Sequence, residues 1–158
     1  MSDEITTTRT RSADEDRFYV ALAKHGLFQA LGTDESAPIR SLSEAFILAA
    51  ALGFAHGSRI PLGPRQHVGF IRTFDEKVGL PLLEAIAIAE TGDPGAVADR
   101  GLVMTIAEEY ANSGVDMLVD LDRGDRDRTV VALAGVLLGE EPEPLGGDRG
   151  PLPGVSED

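Results

Sequence analysis

The sequence has no cysteine, no tryptophan and only two lysines among its 158 residues. Without a thiol there is no disulfide, no thiolate nucleophile and no cysteine-ligated metal, so the fold must rest on its core. A chain of this length buries roughly two-thirds of the surface its unfolded form exposes, enough for one compact domain. Positive charge is also scarce, since 14 Lys and Arg face 27 Asp and Glu for a net charge of −13. That balance argues against a coat for nucleic acid or an anionic-membrane binder and confines any DNA contact to a local patch. Twelve of the cations are Arg; this bias suits a GC-rich genome and the acidity suits a salt-adapted cytoplasm, and the two alternatives stay open. Long hydrophobic runs are missing too. Ala45–Ala55 and Thr129–Leu138 fall well short of the ~20 residues that span a bilayer. Met1–Thr10 is polar and carries Asp3 and Glu4, unlike the apolar segment of a signal peptide, so a cytoplasmic location is expected.

Catalytic signatures are absent as well. There is no G-x-S-x-G elbow, no Walker loop and no dinucleotide fingerprint. His25, His56 and His67 lack the i, i+4 pairing of a zinc helix, and Glu84, Glu90, Glu108 and Glu109 lack the Glu-x-x-His pairs of a bundle metal site. No catalytic residue, cofactor or metal is therefore expected, although a metal-dependent nuclease using Glu84, Glu108 or Glu109 remains the third alternative.

What is present reads as helices. Residues 1–12 and the acidic, Pro/Gly-rich stretch 139–158 have the composition of disordered tails, leaving a domain over 13–138. Phe18, Leu22, Phe28 and Leu31 predict a first amphipathic helix over Asp14–Leu31. Ser41 and Glu44 have capping-box spacing before the Ala-rich run Phe46–Phe54, a second, central helix that Gly53 or Gly57 would end. Pro61, Pro64 and nearby glycines make a loop of 57–69, followed over Val68–Phe74 by a short strand or a helical turn. A third helix spans Leu80–Glu90, and Asp93-Pro94 would cap a fourth from Ala96 to about Asn112, stopped by Gly114 in positive φ and continued briefly over Val115–Leu121. Thr129–Leu138 would be the fifth. The expected fold is a mainly α, single-domain bundle of about five helices, with a short β-hairpin around 59–74 as an open addition.

Charge singles out one segment. Residues 56–77 carry Arg59, Arg65, Arg72 and Lys77 against two acids, whereas 78–158 hold five cations against seventeen acids. With His56 and His67, this loop could meet phosphate or a partner's carboxylates. Alternatively, Arg59 and Arg72 pair internally with acids such as Glu84 or Glu109.

Two blocks carry a resemblance. Residues 46–62, FILAAALGFAHGSRIPL, resemble the AAALGy-x-H-x-x-R-x-P block of the small dnd system-associated proteins, also called DNA phosphorothioation-associated protein four. Residues 106–115, IAEEYANSGV, resemble that family's EEYAN-G-G block, in the same order and separation. The resemblance covers about residues 40–122. It implies a setting in systems that replace a non-bridging phosphate oxygen of DNA with sulfur, or in the restriction that reads this mark during phage defence. It carries over no catalytic residue, only the positions Gly53, His56, Arg59, Pro61, Glu108, Glu109, Tyr110, Asn112 and Gly114. Physically, Gly53 would admit a neighbouring helix, Asn112 would cap locally, and Glu108 or Glu109 would tie Arg59 or Arg72 to the fourth helix. The leading expectation is a non-enzymatic accessory protein that binds protein components of such a modification or restriction complex. The alternative is a DNA-binding sensor or regulator using loop 56–77 through His56, Arg59, Arg65, Arg72 and Lys77. Self-association through the apolar second helix is a further option.

Overall fold

The structure, a computed structural model, describes residues 16–32 and 39–122 and the isolated positions 134, 135 and 139. Its architecture is mainly α, with four α-helices among the described residues and one two-stranded sheet. In chain order these are β1 (Arg17–Ala21), α1 (His25–Leu31), α2 (Leu42–Ala55), β2 (Arg65–Phe70), α3 (Gly79–Thr91) and α4 (Arg100–Leu121). Short 3-10 turns cover Leu22–Lys24, Ile71–Thr73 and Pro94–Ala98. Of the expected fifth helix over 129–138 only positions 134 and 135 are described, both helical, and of the expected tails only position 139; the rest lie outside the described residues.

The helix expected over 14–31 is corrected in its first half, which is strand. Phe18 and Val20 are buried while Arg17 and Tyr19 are half-exposed, an alternation of period two that only an extended segment produces. The antiparallel partner is β2, with Tyr19 opposite His67 and Arg17 opposite Phe70. A short antiparallel pair is thus present; one strand lies in the expected 59–74 stretch and the other far upstream. Helix geometry resumes at His25 and ends at Leu31.

Helix α2 starts as its sequence dictates. Ser41 Oγ accepts the N–H of Glu44 at 3.2 Å, and the Glu44 carboxylate reaches back one residue further than in a standard box, to the N–H of Arg40 at 2.7 Å. The helix runs through Gly53 and stops at Ala55, with Gly57 in positive φ beyond its cap. α3 ends on Gly92 in the left-handed region. Asp93 caps only the 3-10 turn, through the N–H of Gly95, and α4 begins later, where Asp99 accepts from the N–H of Leu102.

Gly114 does not stop α4, which continues unbroken to Leu121. Its role is close approach. A Cβ built there would lie 1.7 Å from the carbonyl oxygen of Ala49, and one on Gly53 would lie 2.0 Å from that of Tyr110. The two helices therefore touch backbone to backbone through a pair of reciprocal glycines, with the alanines of α2 beside them. Much of the apolar circumference of α2 is covered within the single chain: Ala45, Phe46, Ala49, Ala50, Ala51, Leu52 and Gly53 are buried, Ile47 and Leu48 half-buried and Phe54 exposed. Phe46 is also the hub of the ring cluster, with centroids 4.8 Å from Phe18, 5.6 Å from Phe74 and 6.5 Å from Phe28. Burying a Phe side chain contributes about 1.5–3 kcal/mol, so this cluster ties β1 and α1 to the helix pair.

Gly114→Ala separates propensity from packing. On an open helix face the change stabilises by about 1 kcal/mol; here the methyl meets a backbone carbonyl that cannot rotate away, and the expected outcome is a loss on the order of 3 kcal/mol. Urea denaturation measures it, and a gain in stability would show that the helices do not approach this closely.

Candidate functional site

The polar residues of the second sequence block, Glu108 to Tyr110 and Asn112 to Ser113, lie within two turns of α4 and reach several neighbouring segments. Asn112 donates through Nδ2 to the carbonyls of Ile60, at 3.2 Å, and Pro61, at 3.1 Å. This replaces the expected local cap, because α4 continues past it and its amide is free to bind another segment. Ser113 Oγ donates to the carbonyl of Ser58, and the N–H of Ile60 donates to the carbonyl of Glu109 at 3.1 Å. Arg59 then closes the arrangement. Its Nε donates to Glu109, and its Nη1 meets Glu90 Oε1 at 2.9 Å. Tyr110 donates its hydroxyl to the other Glu90 oxygen and packs edge-on against Phe54 at 5.5 Å.

The internal pairing of Arg59 thus involves Glu109 and Glu90, and Arg72 is stacked elsewhere. Glu90 is the member sequence reasoning did not assign to Arg59; its place on the last turn of α3 gave no local signal. Within the cluster, the Tyr110 hydrogen bond and then the Arg59 hydrogen bond hold the Glu90 carboxyl below its ordinary range. Burial, reinforced by Glu90, raises the Tyr110 hydroxyl. Burial works against the Arg59 charge, and the two carboxylates more than offset it. His56 is spent locally as well, with Nδ1 3.2 Å from the carbonyl of Leu52 at the end of α2.

The other basic candidates lie apart from this brace. Arg65 sits 4.2 Å over the ring of Tyr19, and Arg72 4.2 Å over the ring of Phe70. Lys77 is exposed, and its backbone N–H bonds to Asp75 Oδ1 at 2.7 Å. The structure therefore divides loop 56–77 into a braced part around Arg59 and a strand face carrying Arg65 and Arg72. Among the described residues no group of three His, Asp or Glu side chains could hold a metal ion.

Glu108 is separate from both. Only 8% exposed, it accepts the N–H of Tyr19 at 2.9 Å, where the β1–β2 register slips. Desolvation pushes its carboxyl up to about 7, against the pull of the Tyr19 N–H and the Arg65 charge and with the help of the Glu109 charge. Because the folded value lies above the ordinary 4.5, the native state holds the proton longer than the unfolded chain. Stability from this group is full below about pH 4.5 and is lost as pH rises through about 7. Glu108→Gln keeps an oxygen for the Tyr19 N–H and removes the charge. The variant should match the parent near pH 4.5 and exceed its stability above pH 7, by up to about 3 kcal/mol. Urea denaturation of both proteins at several pH values reads the difference directly; a deficit independent of pH would mean that shape, not ionisation, governs this position.

Among the described residues, no helix is long and apolar enough to cross a membrane. No curated protein and no solved structure matches the chain. A family model does match, over residues 17–144, most of the sequence and all six elements described above. The blocks that carried the resemblance, with their braced loop and reciprocal glycines, both fall inside that match, and the chain belongs to the family of DNA sulphur modification system-associated protein 4.

Proposed function

We propose that the protein is a non-enzymatic accessory component of a DNA sulphur modification system that acts by docking on another protein of that system. The observation that carries this reading is the cost at which loop 56–64 is held. Two ion pairs and four hydrogen bonds from α4 and α3 fix it, and they leave Ile60 44% exposed on the loop, with Phe54 37% exposed at the end of α2 that precedes it. Apolar side chains presented by an immobilised loop lose little entropy on binding, which is how pre-organised epitopes gain affinity. Arg59, Glu109, Asn112 and Ser113 of the two blocks are occupied in holding the loop, so they support a presented surface better than a catalytic constellation. The overall acidity suits a basic face on the partner, such as one that handles DNA.

The test is co-purification of the tagged full chain with the other proteins of the system. Capture of one component is expected, with Ile60→Glu lowering it at least tenfold, equivalent to about 1.4 kcal/mol, while circular dichroism stays unchanged. If no component is captured, or if Ile60→Glu captures as much as the parent, the docking role is wrong.

A further inference from the structure

The brace does not use the outer face of the β1–β2 sheet. There the rings of Tyr19 and His67 lie 5.9 Å apart, those of His67 and Phe70 5.3 Å apart, and a guanidinium caps each end of the row, Arg65 over Tyr19 and Arg72 over Phe70. A register irregularity builds this row. Residues three apart on a regular strand point to opposite faces, but Val68 is left without a partner in the register, so His67 and Phe70 come to the same side. Arg17 stands opposite Phe70 in the register, and its buried Nε has no hydrogen-bond partner.

Arg65 acts on the Glu108 carboxyl, but among the described residues no close ion pair takes up these arginines. Among the described residues the ion pairs engage Lys24 and Arg59, and none engages Arg17, Arg65 or Arg72, in a chain whose acids outnumber its cations 27 to 14. Glu108 already accepts the Tyr19 N–H, and Asp75 spends one carboxylate oxygen on the N–H groups of Lys77 and Val78. A guanidinium held over a ring can still present N–H donors to an oxyanion, two of them at once.

We propose that this face binds a single-stranded segment of DNA, Arg65 and Arg72 contacting its phosphates and the ring row its bases. Interleaved rings and guanidinium planes distinguish a nucleic-acid strand from an acidic peptide, because a base can stack on both and a carboxylate uses only the cations. A two-stranded face lying against the body of the protein projects nothing into a major groove, which favours an opened strand over a duplex. The site is independent of the docking loop; it takes only the choice of DNA from the family assignment.

Fluorescence anisotropy of the full chain with a labelled 20-nucleotide single strand, the same sequence as duplex, and a polyglutamate peptide tests this across a salt series. The single strand should bind with a Kd of roughly 10⁻⁴–10⁻⁶ M, as non-specific contacts do, and log K should fall with log salt at a slope of about −1.4 for two phosphate contacts. Arg65→Ala with Arg72→Ala should weaken binding at least tenfold and flatten the slope toward zero. Arg65→Lys with Arg72→Lys, which keeps charge and fold but not the planar fork, should fall between. Absence of single-strand binding at low salt, equal or tighter binding of the duplex or of polyglutamate, or undiminished binding by the alanine variant would each overturn the proposal.

Discussion

Two backbones in contact are the constraint on which the rest of this structure depends. Gly114 of α4 faces the carbonyl of Ala49, and Gly53 of α2 faces that of Tyr110, each with too little room for a methyl group. At that separation α2 contributes little side-chain bulk to the interface, which explains why it is built from alanine and carries its one large buried ring, Phe46, toward β1 and α1 instead. The cost of glycine in a helix, about 1 kcal/mol each, is offset by dispersion contacts between closely packed backbones. A wider spacing would carry α4 away from the α2 end where the loop begins, and the hydrogen bonds from Asn112 and Ser113 to that loop would lengthen beyond use.

Residues 108–113 then follow from helix geometry. Consecutive residues on an α-helix point about 100° apart, so five polar side chains in six positions, interrupted only by Ala111, can be satisfied only where the helix has neighbours on several sides. α4 has them: Glu108 meets β1, Glu109 and Tyr110 meet Arg59 and Glu90, and Asn112 and Ser113 meet the loop. Lys24 adds a contact from the 3-10 turn after β1, donating to the carbonyl of Asn112 and pairing with Asp116 at 2.6 Å. The block is thus the hub of the fold, and its polarity records how many segments converge on one helix. Burial is uneven among these groups. Glu108 is desolvated and holds its proton toward neutrality, while Glu90, with two donors, stays ionised.

Local features were legible where local physics decides. Ser41 and Glu44 announce the start of α2, whereas Arg59 with Glu109, fifty residues apart, is legible only as one of several charge pairings. Misreadings occurred where a distant segment decides. Phe18, Leu22, Phe28 and Leu31 fit a helical period as well as Phe18 and Val20 fit a strand; the choice belongs to β2, more than forty residues downstream. Gly114 has the signature of a helix stop in sequence, and only the carbonyl of α2 reveals it as a contact residue. The same holds for the basic segment. Its net charge was visible, but its division into a braced arginine and a stacked pair depends on Glu90 and Tyr19, which no spacing links to it.

That division bears on how an acidic protein can work beside DNA. At physiological salt the Debye length is about 8 Å, so a phosphate approaching the sheet responds chiefly to Arg65, Arg72 and their immediate surroundings, and the acids elsewhere act weakly. Long-range repulsion slows encounter without cancelling a close contact. The net charge of −13 therefore limits affinity more than it forbids binding, and a component held near DNA by a partner does not need to find it by diffusion. Docking through the braced loop would supply that proximity. A braced loop and a pair of ring-stacked guanidiniums would then be complementary parts of one device, in which the partner provides local concentration and the sheet face provides the contact.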